Sequence, residues 1–225
     1  MVETRDESRL RVVEVIERYG ECLELVPIDP HFHDITVGIY RKGEVLTVWT
    51  FSQKPGVKGR IRQIRDHLVN LGGLVAVENN YNQAHFRCDT VHAKPLKFLL
   101  NLVVEKDPDY RHPTGPLSIQ DTKTDLTLVV ETSEQEGRWI YQISAQGDPE
   151  KIPRRLPAVQ RGFLRYGEME RVGENQVAFC CGKRHDELLR VLLPYSRNIS
   201  AAETMLEESA LRGQLTTGTA GFSSI

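Results

Sequence analysis

The chain has 225 residues, enough for one large domain or two of about 100 residues each. Its 40% hydrophobic and 27% charged residues are those of an ordinary soluble globular protein. A net charge of −2 argues against a generally cationic nucleic-acid binder, and no apolar run approaches the roughly 18 residues of a membrane span.

Asp6 to Tyr19 has the spacing of a helix, with Leu10, Val13 and Ile16 in register and Gly20 placed to end it. Three strands are predicted next. Cys22–Val26 is stopped by Pro27, Ile35, Val37 and Ile39 alternate with other residues, and Lys42-Gly43 turns the chain into Val45–Phe51. Val57, Ile61, Ile64, Leu68 and Leu71 mark one stripe of a helix that Gly72-Gly73 closes. Leu74–Val77 and Ala84–Cys88 form a hairpin about Asn79, Asn80 and Asn82. Thr90 can then cap a helix carrying Leu96, Leu99, Leu100 and Val103. The polar, proline-marked segment 107–116 reads as a linker.

The second half follows the same order. Leu126, Leu128 and Val130 alternate, Glu136-Gly137 turns, and Trp139, Tyr141 and Ile143 answer. Pro149, Pro153 and Pro157 predict that the next helix begins with a broken or irregular turn. The pair Met169–Val172 and Val177–Cys181 follows, then a helix with Leu188, Leu189, Leu192 and Leu193 that Pro194 is expected to stop. Ser200 with Glu203 reads as a capping box before a short helix, and the small polar tail from Gly213 is expected to be mobile.

The parallel extends to single residues. Shifted by 93 positions, NQAHFRCDTVHAKPLKFLL from Asn82 falls on NQVAFCCGKRHDELLRVLL from Asn175. Over Leu46 to Leu102 there are 12 identities in 57 ungapped positions, where chance supplies roughly 3 or 4. They include Arg62/Arg155, Phe86/Phe179, Cys88/Cys181 and His92/His185. The predicted class is therefore α+β, in two tandem duplicated modules. Each runs helix, three strands, helix, two strands, helix, with an antiparallel sheet and helices packed on it. The modules span 1–106 and 117–199, with a short helix and tail over 200–225.

This order of elements resembles the fold of the type III secretion chaperones and of the YbjN-like family that shares it. The resemblance covers residues 6–104, and 117–194 as well if the helix at Leu96–Val103 also leads the second half. It rests on topology and carries over no binding residue. It implies a mostly antiparallel sheet with helices on one side, binding to protein partners without catalysis, and a monomeric pseudo-dimer or a homodimer.

Three clusters bear chemistry. Cys88-x-x-x-His92 and Cys181-x-x-x-His185 each set a thiol at a strand end and an imidazole at a helix start. The halves could join them as a Cys2His2 metal site of the kind zinc takes, or a thiolate could be activated as a nucleophile. The reading adopted is the plainer one, in which reduced cysteines, Cys22 included, behave as small hydrophobes and histidine finishes a cap. No metal or other cofactor is then expected. His31, His33 and Asp34 form a second cluster, read as a polar loop entering a strand.

The third is a pair of basic helix starts, Lys58, Arg60, Arg62 and Arg65 with their echo at Lys151 and Arg155. An anion is favoured at such a terminus, so a nucleotide, nucleic acid or phosphorylated substrate is the alternative ligand to an acidic protein partner. No Ser-His-Asp order, HExxH, P-loop or paired catalytic carboxylate stands out. The expectation is a non-enzymatic protein-binding or chaperone-like protein. Charged N-terminal residues where a signal peptide needs an apolar core, and four cysteines without a disulfide framework, place it in the cytoplasm without a membrane partner.

Overall fold

The computed structural model describes residues 20–28, 35–52, 54–101, 109–112 and 114–196. The chain divides into two compact units, Met1–His112 and Pro113–Ile225. The helix predicted at 6–19, the His31/His33/Asp34 cluster, the capping box at 200–203 and the tail lie outside the described residues. No described helix is long and apolar enough to cross a membrane.

In the first unit, strands β1 (Glu21–Ile28), β2 (Ile35–Lys42) and β3 (Val45–Ser52) precede helix α1 (Lys58–Gly72). Strands β4 (Val75–Ala76) and β5 (Gln83–His85) and helix α2 (Ala93–Asn101) complete it. The second unit has β6 (Leu117–Asp121), β7 (Leu126–Gln135), β8 (Arg138–Gln146), α3 (Ile152–Gly167), β9 (Met169–Gly173), β10 (Gln176–Phe179) and α4 (Asp186–Ser196). Both sheets have five antiparallel strands in the same order, β1-β2-β3-β5-β4 and β6-β7-β8-β10-β9. The fold is α+β in two repeated modules.

The repeat is kept residue for residue where the sheet is most buried. Val37 pairs with Thr50, and 93 positions on Val130 pairs with Ile143. Val48 pairs with Ala84, and Tyr141 with Val177. The two-residue hairpin turns fall at the same place: Gly43 adopts φ 62, and its counterpart Glu136 adopts φ 51, so the first turn residue is left-handed in both, while in the second unit Gly137 at φ 77 is left-handed as well. A one-residue slip would move every core side chain to the opposite face, so register is held where burial is deepest. At the sheet margin the units part. Helix α3 ends two positions later than α1 does under the same offset, and β9 and β10 are joined by a tighter turn through Asn175 at φ 56.

One face of each sheet closes on its helices. Val37, Ile39, Val48, Ile64, Leu68, Leu96 and Leu99 are buried in the first unit, and Leu126, Leu128, Tyr141, Phe163, Phe179 and Leu192 in the second. Burying a side chain of this size is worth about 1.5–3 kcal/mol each. Segment 109–112 is fastened to the first unit by His112, whose Nε2 donates to the Leu71 carbonyl at 2.7 Å, near the C-terminus of α1. The Tyr110 hydroxyl lies 3.4 Å from the other ring nitrogen, Nδ1.

Several expectations are corrected. Helix α3 is continuous from Ile152, with Pro153 in its first turn and Pro157 inside. Proline costs little near a helix start, where amides have no intrahelical acceptor, and only Pro157 forfeits a bond. Helix α4 likewise runs through Pro194 to Ser196. Ser196 is fully buried, its hydroxyl donates to the Leu192 carbonyl at 3.0 Å, and its backbone lies against Gly162 of α3, so packing holds the last turn. Strand β6 was not singled out by its pattern, because Ser118 and Gln120 interrupt too few apolar residues. Cys22 is exposed rather than a core hydrophobe.

His67 sits buried on α1 among Arg60, Asp66, Asp109 and Arg111. Burial, then the charges of Arg111 and Arg60, pull its pKa below the ordinary 6.5. The unfolded chain therefore takes up a proton near pH 6.5 that the folded chain resists, and stability falls as pH drops through that value. His67→Gln, the residue already present at equivalent Gln160, should abolish this loss. Denaturant midpoints at pH 7.5 and 5.5 for both proteins check it; an unchanged pH dependence in the variant rules it out.

Candidate functional site

The two C-x-x-x-H segments follow the last strand of each sheet. Strand β5 ends at His85 and β10 at Phe179, so Cys88 and Cys181 stand in the turns beyond, not on the strands. Phe86 stays tied to the sheet through its amide, which donates to the Leu46 carbonyl at 3.0 Å. In the second unit the Gly182 amide donates to the Phe179 carbonyl at 2.8 Å, and Gly182 adopts φ 68. That positive φ reverses the chain tightly after Cys181.

The histidines open the helices that follow. The His92 carbonyl accepts from the Leu96 amide at 3.2 Å and the His185 carbonyl from the Leu189 amide at 3.0 Å. Each is therefore the first residue drawn into its helix, and Thr90 is not the cap. Both rings are buried and held against the repeated phenylalanine. The centroid separation is 6.1 Å for Phe86–His92, and 5.1 Å, edge-on, for Phe179–His185. In the second unit the His185 amide also donates to the Tyr141 hydroxyl at 2.7 Å. Burial pushes the pKa of that phenol well up, which keeps it a neutral acceptor.

Within each unit the turn brings thiol and imidazole together. Cys88 Sγ lies 3.2 Å from His92 Nε2, and Cys181 Sγ 3.1 Å from His185 Nε2. The Lys183 amide points at Cys181 Sγ at 3.4 Å, and Cys88 Sγ lies 3.4 Å from the Thr90 carbonyl. Neither cysteine is in a disulfide, and both are only half buried. They are polar partners of histidine at a module margin, and the core-hydrophobe reading of Cys88 and Cys181 is corrected. Spacing could not reveal this, because the turn decides where each sulfur points.

The basic helix starts are less alike than their sequences. Neither α1 nor α3 has a side-chain cap or an acidic residue in its first turn. In the first unit Lys58 lies over the Tyr81 ring at 4.7 Å, Arg60 donates to Gln63 at 2.5 Å, Arg65 pairs with Asp66 at 3.0 Å, and Arg62 is exposed. In the second, Lys151 reaches the Thr124 carbonyl at 3.3 Å and Asp148 at 3.7 Å. Arg155 is buried, its Nε 2.5 Å from Asp121 Oδ2. It is committed to an internal carboxylate and presents no charge to an outside anion, which corrects its reading as a binding residue. Asp121 is raised by burial, but the Thr124 hydroxyl, the Lys123 amide and Arg155 together hold it below the usual carboxylate range.

A third site was not found in the sequence. On the face of the first sheet opposite α1, Tyr40, Trp49 and Phe51 make an edge-to-face row with centroids 5.9 and 6.3 Å apart. The Tyr40 ring lies over Gly38, in the space a Cβ there would fill. Beside the row is a groove of about 540 Å³, bounded also by Val45, Thr47, Asn80, Asn82 and Gln83. The positions equivalent to Tyr40, Trp49 and Phe51 in the second unit are Ser133, Gln142 and Ser144. Core faces of both sheets are apolar, while the opposite faces have diverged.

Comparison with protein-family models, curated proteins and solved structures finds no match to this chain.

Proposed function

We propose that the protein is a non-enzymatic polypeptide-binding protein, adaptor- or chaperone-like, and that the aromatic side of its first sheet receives the partner. The row of Tyr40, Trp49 and Phe51 beside the 540 Å³ groove carries this reading. Aromatic faces supply contact area at low entropic cost, and the amides of Asn80, Asn82 and Gln83 can both donate to and accept from a peptide backbone. The order of elements, which resembles the type III secretion chaperones and the YbjN-like family, supports the same class. The divergence of the second unit favours the first as the unit with this role.

A displayed peptide library selected on the full chain should yield binders. Trp49→Ala should weaken the best of them at least about 10-fold, since a buried aromatic anchor at an interface is worth 2 kcal/mol or more. Gln142→Ala, at the equivalent place in the second unit, should leave affinity unchanged. Thermal unfolding establishes that each variant is folded. Failure to select any peptide, or equal affinity in the Trp49 variant, overturns the assignment.

A further inference from the structure

We propose that a cleft between α1 and segment 109–112 of the first unit binds the phosphate group of a small phosphomonoester. The cleft has a volume of about 520 Å³, which suits a small molecule. Its floor is one stripe of α1, where Gly59, Gln63, His67 and Asn70 recur at the spacing of a single helix face, with Arg62 beside them. Its far wall is Asp109 and Arg111, from the segment that His112 fastens to the Leu71 carbonyl. Every lining residue belongs to the first unit, and none of them borders the aromatic groove.

The repeated fold does not require this polar stripe. At the positions equivalent to Gln63, Asp66 and Asn70 the second unit has Leu156, Val159 and Phe163, all buried. The equivalent of His67 is Gln160, whose amide donates to the Gly173 and Gln176 carbonyls at 3.0 and 2.9 Å. His67 has no such bond: it is 8% exposed and makes no hydrogen bond among the described residues. Buried polar groups are ordinarily hydrogen-bonded, so an imidazole left in the wall of a cleft calls for an occupant that supplies the bond.

The charges decide what kind of occupant. Asp66 is met by Arg65 at 3.0 Å, which leaves the guanidiniums of Arg60, Arg62 and Arg111 facing one carboxylate, Asp109. That excess of positive charge matches a phosphomonoester, which is chiefly a dianion above pH 7. Arg62 and Arg111 are exposed and form no ion pair among the described residues, and Arg111 gives up only one N–H, to the Tyr110 carbonyl at 2.8 Å. Both planar forks can therefore take phosphate oxygens. Arg60 already donates to Gln63 Oε1 at 2.5 Å, which leaves the amide nitrogen of Gln63 as a further donor. His67 is kept neutral near pH 7 by burial and by the charges of Arg111 and Arg60, so one ring nitrogen donates.

The test follows the His67 ring by NMR in the full chain at pH 7.5 and constant ionic strength. Glycerol phosphate, inorganic phosphate and, as a control, chloride are titrated in turn. Glycerol phosphate should carry the ring signals to a saturating value. At saturation the pH midpoint of His67 should rise, because the bound anion offsets Arg111 and Arg60 while Asp66 and Asp109 stay as they are. Arg62→Gln and Arg111→Gln should each weaken binding at least about 10-fold. Arg154→Gln, at an exposed arginine of α3, should leave it unchanged. A drift no different from that with chloride, an unmoved His67 midpoint, or equal affinity in all three variants would each overturn the proposal. Saturation by inorganic phosphate but not by the monoester would do the same. The first two readouts use the unaltered protein and do not depend on a variant folding.

Discussion

Arg155→Ala should destabilise the second unit by about 3–5 kcal/mol, the cost of leaving a buried carboxylate without its counter-charge. Arg62→Ala, at the equivalent position of the first unit, should change stability by no more than about 0.5 kcal/mol. The contrast is large because the two arginines differ only in surroundings. Arg155 and Asp121 are 5% and 1% exposed at 2.5 Å, whereas Arg62 is exposed and the residue at the position of Asp121 is Ile28. Two further measurements separate the ion pair from simple loss of packing. Asp121→Leu with Arg155→Met should recover most of the loss, since an apolar pair of similar volume replaces the ion pair without a stranded charge. The deficit of Arg155→Ala should also shrink in acid. Asp121 is held below the ordinary carboxylate value of 3.8, so its contribution is complete above that pH and lost as pH falls through its depressed pKa. Equal denaturant midpoints for the Arg62 and Arg155 variants would remove this account.

Gly162→Val should cost about 1–3 kcal/mol or more by overpacking the contact of α3 with α4. A Cβ on Gly162 would stand 2.6 Å from Ser196 Cα, 2.8 Å from its Cβ and 3.0 Å from its carbonyl oxygen, so backbone and not merely a flexible side chain must move. In the first unit Val69 occupies this position, half buried on α1. The glycine is therefore no requirement of the repeated fold. It is a local adaptation that lets α4 continue past Pro194 and seat Ser196 on α3. The expected result is a lowered unfolding temperature together with faster amide exchange in the last turn of α4. Unchanged exchange there, despite a lower melting point, would show that the strain is absorbed elsewhere.

The thiol–imidazole pairs were legible only in part. The types and spacing of Cys88, His92, Cys181 and His185 are visible in the sequence, and the offset of 93 displays them twice. That sulfur and imidazole meet within each turn is not, because apolar alternation continues from Ala84 through Phe86 to Cys88 and suggests a strand pointing the cysteine inward. The chain leaves the sheet before that residue and frees the thiol to turn toward His92. The aromatic row was missed for another reason. Tyr40, Trp49 and Phe51 fall on two strands, and only the pairing of β2 with β3 sets them side by side.

What the sequence by itself determined is the order of strands and helices, the core stripe of α1, the β2–β3 and β7–β8 turns and the doubling of the module. Each of these is written in neighbouring residues, through a period of two or near four or a turn residue that tolerates positive φ. Tertiary structure alone decided that one of two matched arginines is buried against Asp121, that helices persist through Pro157 and Pro194, and which residues share the outer sheet face. Those outcomes depend on groups brought together from distant parts of a module, whose packing can outweigh a local preference worth a few kcal/mol.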